Sequence, residues 1–281
     1  MKKVVGLFVI LFTAAFLPAV SANQGASIAI IDTAVDTSIV KVDYEVCILE
    51  EKRCPNKQSF MEGTGAAHMP ASGGFEHGTK MALVAKKINP NVKIVFIRVF
   101  SADKTGTRTM PVATNINSTV KQAMDWVLVN RSKFNIVATS VSLTEQNDSR
   151  SARYCNTNAV FARTITALQN AGIGTFFAAG NGMNMNPAYK YDRISYPACI
   201  PAAIAVSSVN ANGDYENYAN RSTEVDFYTF GTYDLSTGRS MGTSDATAAL
   251  AAYWAKSYKG NFVLTYDHIK SLSSKFVNVL G

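Results

Sequence analysis

Histidine is scarce in this chain: three in 281 residues, at positions 68, 77 and 268. Any base of the imidazole type must be one of them. Cysteine is almost as sparse, with four residues. None lies in a C-x-x-C pattern or beside a pair of histidines, so the usual zinc signatures are missing and no metal ligand is assigned. Lys and Arg number 27 against 20 Asp and Glu, a net charge of +7, yet no run of five basic residues occurs. That scatter, without a nucleic-acid motif, argues against a nucleic-acid partner. Internal repeats and low-complexity linkers are absent too. Beyond residue 22, no apolar stretch is long enough to span a bilayer.

What is present begins at the N-terminus. Lys2 and Lys3 precede an apolar run from Val4 to Val20, with Pro18 near its end and "AVSA" after it. This is the pattern of a secretory signal peptide cut after Ala22. The expected organisation is a signal peptide over residues 1–22 and one domain over 23–281, secreted or periplasmic, with no membrane partner once the signal is removed. All four cysteines, Cys47, Cys54, Cys155 and Cys199, follow the cut. An even count after a signal peptide suggests two disulfides, for which three connectivities exist. Cys47 and Cys54 are near enough in sequence to close a small loop, which would leave Cys155 for Cys199.

Apolar runs alternate with longer patterns of helical spacing. "SIAIID" (27–32), "KIVFIRVF" (93–100), "NIVATSVSL" (135–143), "GTFFAAG" (174–180) and "AAIAVSSV" (202–209) read as buried strands. Helices are predicted over 80–87, 110–130, 158–172, 243–258 and 265–277. The alternation predicts an α/β fold with three layers, a mainly parallel central sheet covered by helices on both faces. Ligands of such sheets bind beyond the carboxyl ends of the strands, so polar residues there are the candidates.

Four stand out. Asp32 ends the first strand, His77 precedes a helix in "FEHGTKMALVA", Asn181 follows "FFAAG", and Ser244 opens a helix in "MGTSDATAALAA". A hydroxyl can attack a carbonyl, an imidazole can move its proton, a carboxylate can orient the imidazole, and an amide can hold an oxyanion. With these blocks in this order, the chain resembles the subtilisin-like serine proteases (subtilases) over essentially all of residues 23–281. "IAIIDTAVD", "EHGTKMALVA", "FFAAGN" and "MGTSDATAALAA" are similar to that family's aspartate, histidine, asparagine and serine blocks. The resemblance implies a serine endopeptidase acting through an Asp32–His77–Ser244 triad and an acyl-enzyme, with Asn181 at the oxyanion. It implies protein or peptide substrates lying along Ser140, Val141 and Ser142, and a pocket walled by Ala179 and Gly180. It implies no cofactor for catalysis; structural calcium occurs in many members, but no ligands are assignable here. "RYCNTN" and "YPACIP" are similar to a cysteine pair of some bacterial members, which supports pairing Cys155 with Cys199.

The chain departs from the family in places. Ala34 stands where glycine is usual, Lys80 where histidine is frequent, and Asp245 and Ala248 follow the serine. Asp245 is expected to face away from the site as a first-turn acid favoured by the helix dipole. Asp32 lies ten residues past the expected cut, without room for the family's folding pro-domain, so folding is expected to proceed unaided or with a separate chaperone. A separate inhibitor is a further candidate partner. Two rival functions stand beside the protease: a catalytically silent protein of the same fold, and an esterase using Ser240. "GRSMG" (238–242) matches the nucleophile-elbow pattern, which needs a strand directly before the serine, whereas "YDLSTG" reads as a turn.

Overall fold

The computed structural model describes residues 25–70, 74–101, 116–144, 155, 159–182, 194–272 and 276–280. The expected signal peptide, residues 1–22, lies outside this range, as does 110–115 of the expected second helix.

Ten strands and five helices are described: β1 Ser27–Asp32, β2 Tyr44–Ile48, β3 Phe60–Glu62, α1 Glu76–Ile88, β4 Lys93–Arg98, α2 Ile116–Phe134, β5 Ile136–Val141, α3 Ala159–Asn170, β6 Gly174–Ala178, β7 Ile204–Val209, β8 Phe227–Phe230, β9 Thr232–Leu235, β10 Gly238–Met241, α4 Thr243–Lys256 and α5 Phe262–Leu272. Eight strands form one sheet in the order β3-β2-β4-β1-β5-β6-β7-β8. Its pairs are parallel apart from β2 with β3.

Side-chain alternation along the strands builds the two cores. Ile28 and Ile30 of β1 and Ile94 and Phe96 of β4 point to the face covered by α1, α4 and α5. Ala29, Ile31, Val95 and Ile97 point to the opposite face, covered by α2 and α3. Both faces of the central strands are therefore dry, which is why β1, β5, β6 and β7 read as unbroken apolar runs. Helix α4 is enclosed nearly all round, and six of its buried residues are alanines: 246, 248, 249, 251, 252 and 255. Small side chains let a helix pack on several neighbours at close range. Its largest residue, Trp254, fills space against the edge of Phe176, the ring centroids 5.3 Å apart.

Cys47 is bonded to Cys54 and Cys155 to Cys199. The first bridge ties β2 to the loop that follows it. The second fastens the segment before α3 to the turn before β7.

Candidate active site

The carboxyl ends of β1, β5 and β6 lie side by side in the sheet, and the start of α4 sits against them. Asp32 is the last residue of β1 and fully buried. Its Oδ1 accepts from the Thr33 N–H at 2.6 Å and lies 2.8 Å from His77 Nδ1. A carboxylate only accepts, so Nδ1 carries the hydrogen and the Nε2 lone pair is free. Asp32 Oδ2 is buried with no hydrogen-bond partner among the described residues.

His77 is the second residue of α1. A brace from Thr33 sets its place: the Thr33 hydroxyl donates to Phe75 O at 2.8 Å and accepts from the Gly78 N–H at 3.0 Å. Gly78 cannot be larger, because a β-carbon there would collide with the Ala34 carbonyl and the Phe96 ring. Ala34 itself is buried in an ordinary backbone conformation, so the glycine usual at that position is not required. Burial lowers the His77 pKa, but the Asp32 charge and hydrogen bond, with help from Asp245, outweigh burial and the opposing Lys80. The net effect raises it above 6.5. The side chain is 39% exposed, so Nε2 is within reach of solvent.

Helix α4 begins at Thr243, with Gly242 as its cap residue and no side-chain cap from within the helix. A neighbouring element caps it instead. Asn181 Oδ1 accepts from the Thr243 N–H at 2.9 Å and from its hydroxyl at 3.0 Å. The Thr243 hydroxyl also accepts from the Gly180 N–H at 3.1 Å. With its oxygen held, Asn181 keeps its Nδ2 as a donor beside Gly242, and the residue is exposed. The N–H of Ser244, next along, has no acceptor among the described residues, as expected at a helix start. Ser244 is nearly buried, and its Oγ carries no hydrogen bond to His77 or to another described residue. Such contacts are often loose in free enzymes and tighten with substrate. Ser142 Oγ donates to the Ser244 carbonyl at 3.2 Å, tying the end of β5 to the serine.

Sequence reasoning missed a clamp. Asn220 donates through Nδ2 to Ala179 O at 3.0 Å and to Ser195 Oγ at 3.2 Å. Its Oδ1 accepts from the Gly182 N–H at 2.9 Å, and its own N–H donates to Gly180 O at 2.9 Å. It thus grips the chain on both sides of Asn181. A β-carbon at Gly180 or Gly182 would run into it, and Gly180 takes the left-handed φ of 106°. Nothing local marks Asn220, because its partners lie up to 41 residues away. Thr33 and Thr243 were visible only as the threonines beside Asp32 and Ser244.

The structure places the other expected positions as follows, and corrects those of Asp245 and Ser240. Ser140 and Val141 lie inside β5, fully buried and paired with β1 on one side and β6 on the other. Ser142 follows directly, past the last paired residue of β5. Ala179 and Gly180 are buried, and their groups are taken up by Ser195, Asn220 and Thr243. They hold Asn181 from behind. Asp245 does not face away: it is 2% exposed. Ser240 is not in a turn but in β10, half of a β9–β10 hairpin turned at Gly238. A strand precedes it, yet no helix follows it directly, so the elbow geometry is absent. His68 is exposed in a loop, its carbonyl accepting from Arg98, and His268 lies on α5.

The arrangement thus joins an oriented imidazole, a hydroxyl at a helix start and an anchored amide. The Subtilase family model matches residues 23–274. No curated protein matches significantly. Among solved structures, a cold adapted subtilisin-like serine proteinase aligns with a TM-score of 0.60 at 20% identity, over 88% of this chain and 81% of its own. A lanthipeptide protease gives 0.60 at 14% identity, over 90% and 85%. A protease of Pseudoalteromonas arctica PAMC 21717 gives 0.66 at 16% identity, over 91% and 88%. At such identities the likeness is one of fold, and it is the family match over nearly the whole chain that makes this protein a subtilase, a peptidase of the serine type.

Proposed function

We propose that the protein is a secreted endopeptidase in which Ser244 attacks the scissile carbonyl. His77 Nε2 takes the hydroxyl proton and later passes it to the leaving amine. Asp32 holds the ring in the tautomer this needs and stabilises its cation. The tetrahedral oxyanion lies between Asn181 Nδ2 and the Ser244 N–H, where the positive end of α4 adds to the field. The acyl-enzyme is then hydrolysed by water through the same histidine. The substrate's backbone runs past Ser142. These groups supply base, nucleophile and oxyanion donors, so no cofactor is invoked.

The observation that carries this reading is the 2.8 Å contact of Asp32 with His77 Nδ1, which leaves Nε2 basic on the side open to solvent. Two disulfides support an oxidising compartment. Among the described residues no helix is long and apolar enough to cross a membrane. Labelling the protein with a fluorophosphonate and mapping the modified serine tests the assignment. Label on Ser244, lost in Ser244→Ala together with casein cleavage, supports it; label on Ser240 or none would sink it.

A further inference from the structure

The residue after the proposed nucleophile remains to be accounted for. Asp245 is 2% exposed in the first turn of α4, and its Oδ1 is buried with no hydrogen-bond partner among the described residues. Its Oδ2 lies 3.3 Å from the position a β-carbon on Gly242 would take. The same point is 3.3 Å from Asn181 Nδ2 and 3.6 Å from the Ser244 nitrogen. One small space is therefore bordered by a carboxyl oxygen and by both proposed oxyanion donors. No described cation pairs with the carboxyl at salt-bridge distance. The Ser240 hydroxyl of β10 hydrogen-bonds it, while His77 and Lys80 of α1, Tyr233 of β9 and Tyr218 before β8 act on it from a greater distance.

We propose that Asp245 is a charge gate on the reaction: acylation needs its carboxyl neutral, because an ionised carboxyl beside the donors opposes the developing oxyanion. This inference rests on the roles proposed for Ser244 and Asn181. Two anions side by side repel, and the burial of Asp245 weakens the screening between them. The gate lies in a usable range, since burial carries the Asp245 pKa up to about 6 against the pull of the Ser240 hydrogen bond, His77 and Lys80. Activity requires neutral His77 and neutral Asp245 together. His77 ionises above 6.5 and Asp245 at about 6, so the doubly neutral form is the minor partner of the His77 cation–Asp245 anion pair. Activity peaks between the two macroscopic ionisations and falls tenfold per pH unit on the alkaline side.

The test is kcat/KM for a peptide anilide from pH 5 to 9, measured on the wild type, Asp245→Asn and Ser244→Ala. The expected wild-type profile is a bell. Asp245→Asn loses the alkaline limb and exceeds the wild type at least tenfold at pH 8.5. Its acid limb is then set by His77 alone. A wild-type plateau up to pH 9 overturns the gate without any variant. So does an Asp245→Asn profile that superimposes on the wild type while Ser244→Ala is inactive. Full activity in Ser244→Ala overturns the proposed function instead, and the two failures stay distinct. If Asp245→Asn does not fold, Asp245→Ser makes the same comparison.

Discussion

Asp245 also ties the stability of the fold to pH, and the effect can be sized. Its carboxyl has an ordinary pKa of 3.8 when unfolded and about 6 when folded. One pKa unit is ~1.4 kcal/mol, so carrying the charge inside the fold costs on the order of 3 kcal/mol. The sign follows from proton counting. A raised folded pKa means that the native state binds more protons than the unfolded chain. The associated stability is complete below pH 3.8 and is lost as pH rises through about 6. Asparagine removes that dependence. In a Ser244→Ala background, which prevents self-digestion on the proposed mechanism, Asp245→Asn should match its parent near pH 4 and be more stable by roughly 2–3 kcal/mol at pH 8. Urea unfolding at the two pH values measures the difference directly. All other titrating groups are shared, apart from the influence Asp245 has on His77. Parallel pH dependences in the two proteins would falsify the claim that this carboxyl is buried without a cation beside it.

Other outcomes follow from the site. Asp32→Asn should lower kcat by about 10⁴-fold, a magnitude general to serine proteases, and shift the acid limb of the pH profile downward as His77 loses its partner charge. Asn181→Ala should cost about 10²–10³-fold in kcat with KM little changed, the size seen for such donors in subtilisins and not worked from this chain. Gly78→Ala should destabilise the fold by roughly 1–3 kcal/mol, read as a lowered Tm, because the added methyl meets the Ala34 carbonyl and Phe96.

The central strands were legible because both of their faces are covered, which leaves long apolar runs with polar residues at their ends. Asp32 and Asn181 were visible for that reason, as residues just past such runs. The short strands were not. β3 spans three residues at the sheet edge, and the polar β9–β10 hairpin reads as turn because little of it packs inward. At Ser140 and Val141 the run shows where a strand lies, not where its neighbours stop pairing. Asn220 was invisible for a different reason: its partners are set by how β6, β7 and the following loop meet in space. Asp245 could be seen but not oriented, since one turn of helix offers both a solvent side and a buried one.

The enclosure of α4 has a consequence in time. Asp32 and His77 belong to the first third of the chain, but Ser244 arrives on a helix near its end, bedded against strands made earlier. A nascent or truncated chain ending before Thr243 lacks the nucleophile, and it lacks the helix that covers much of one apolar face of the sheet. On the proposed mechanism, synthesis itself delays the onset of cutting. That face is also where such a fragment would be recognised as unfinished, by any factor that binds exposed apolar surface.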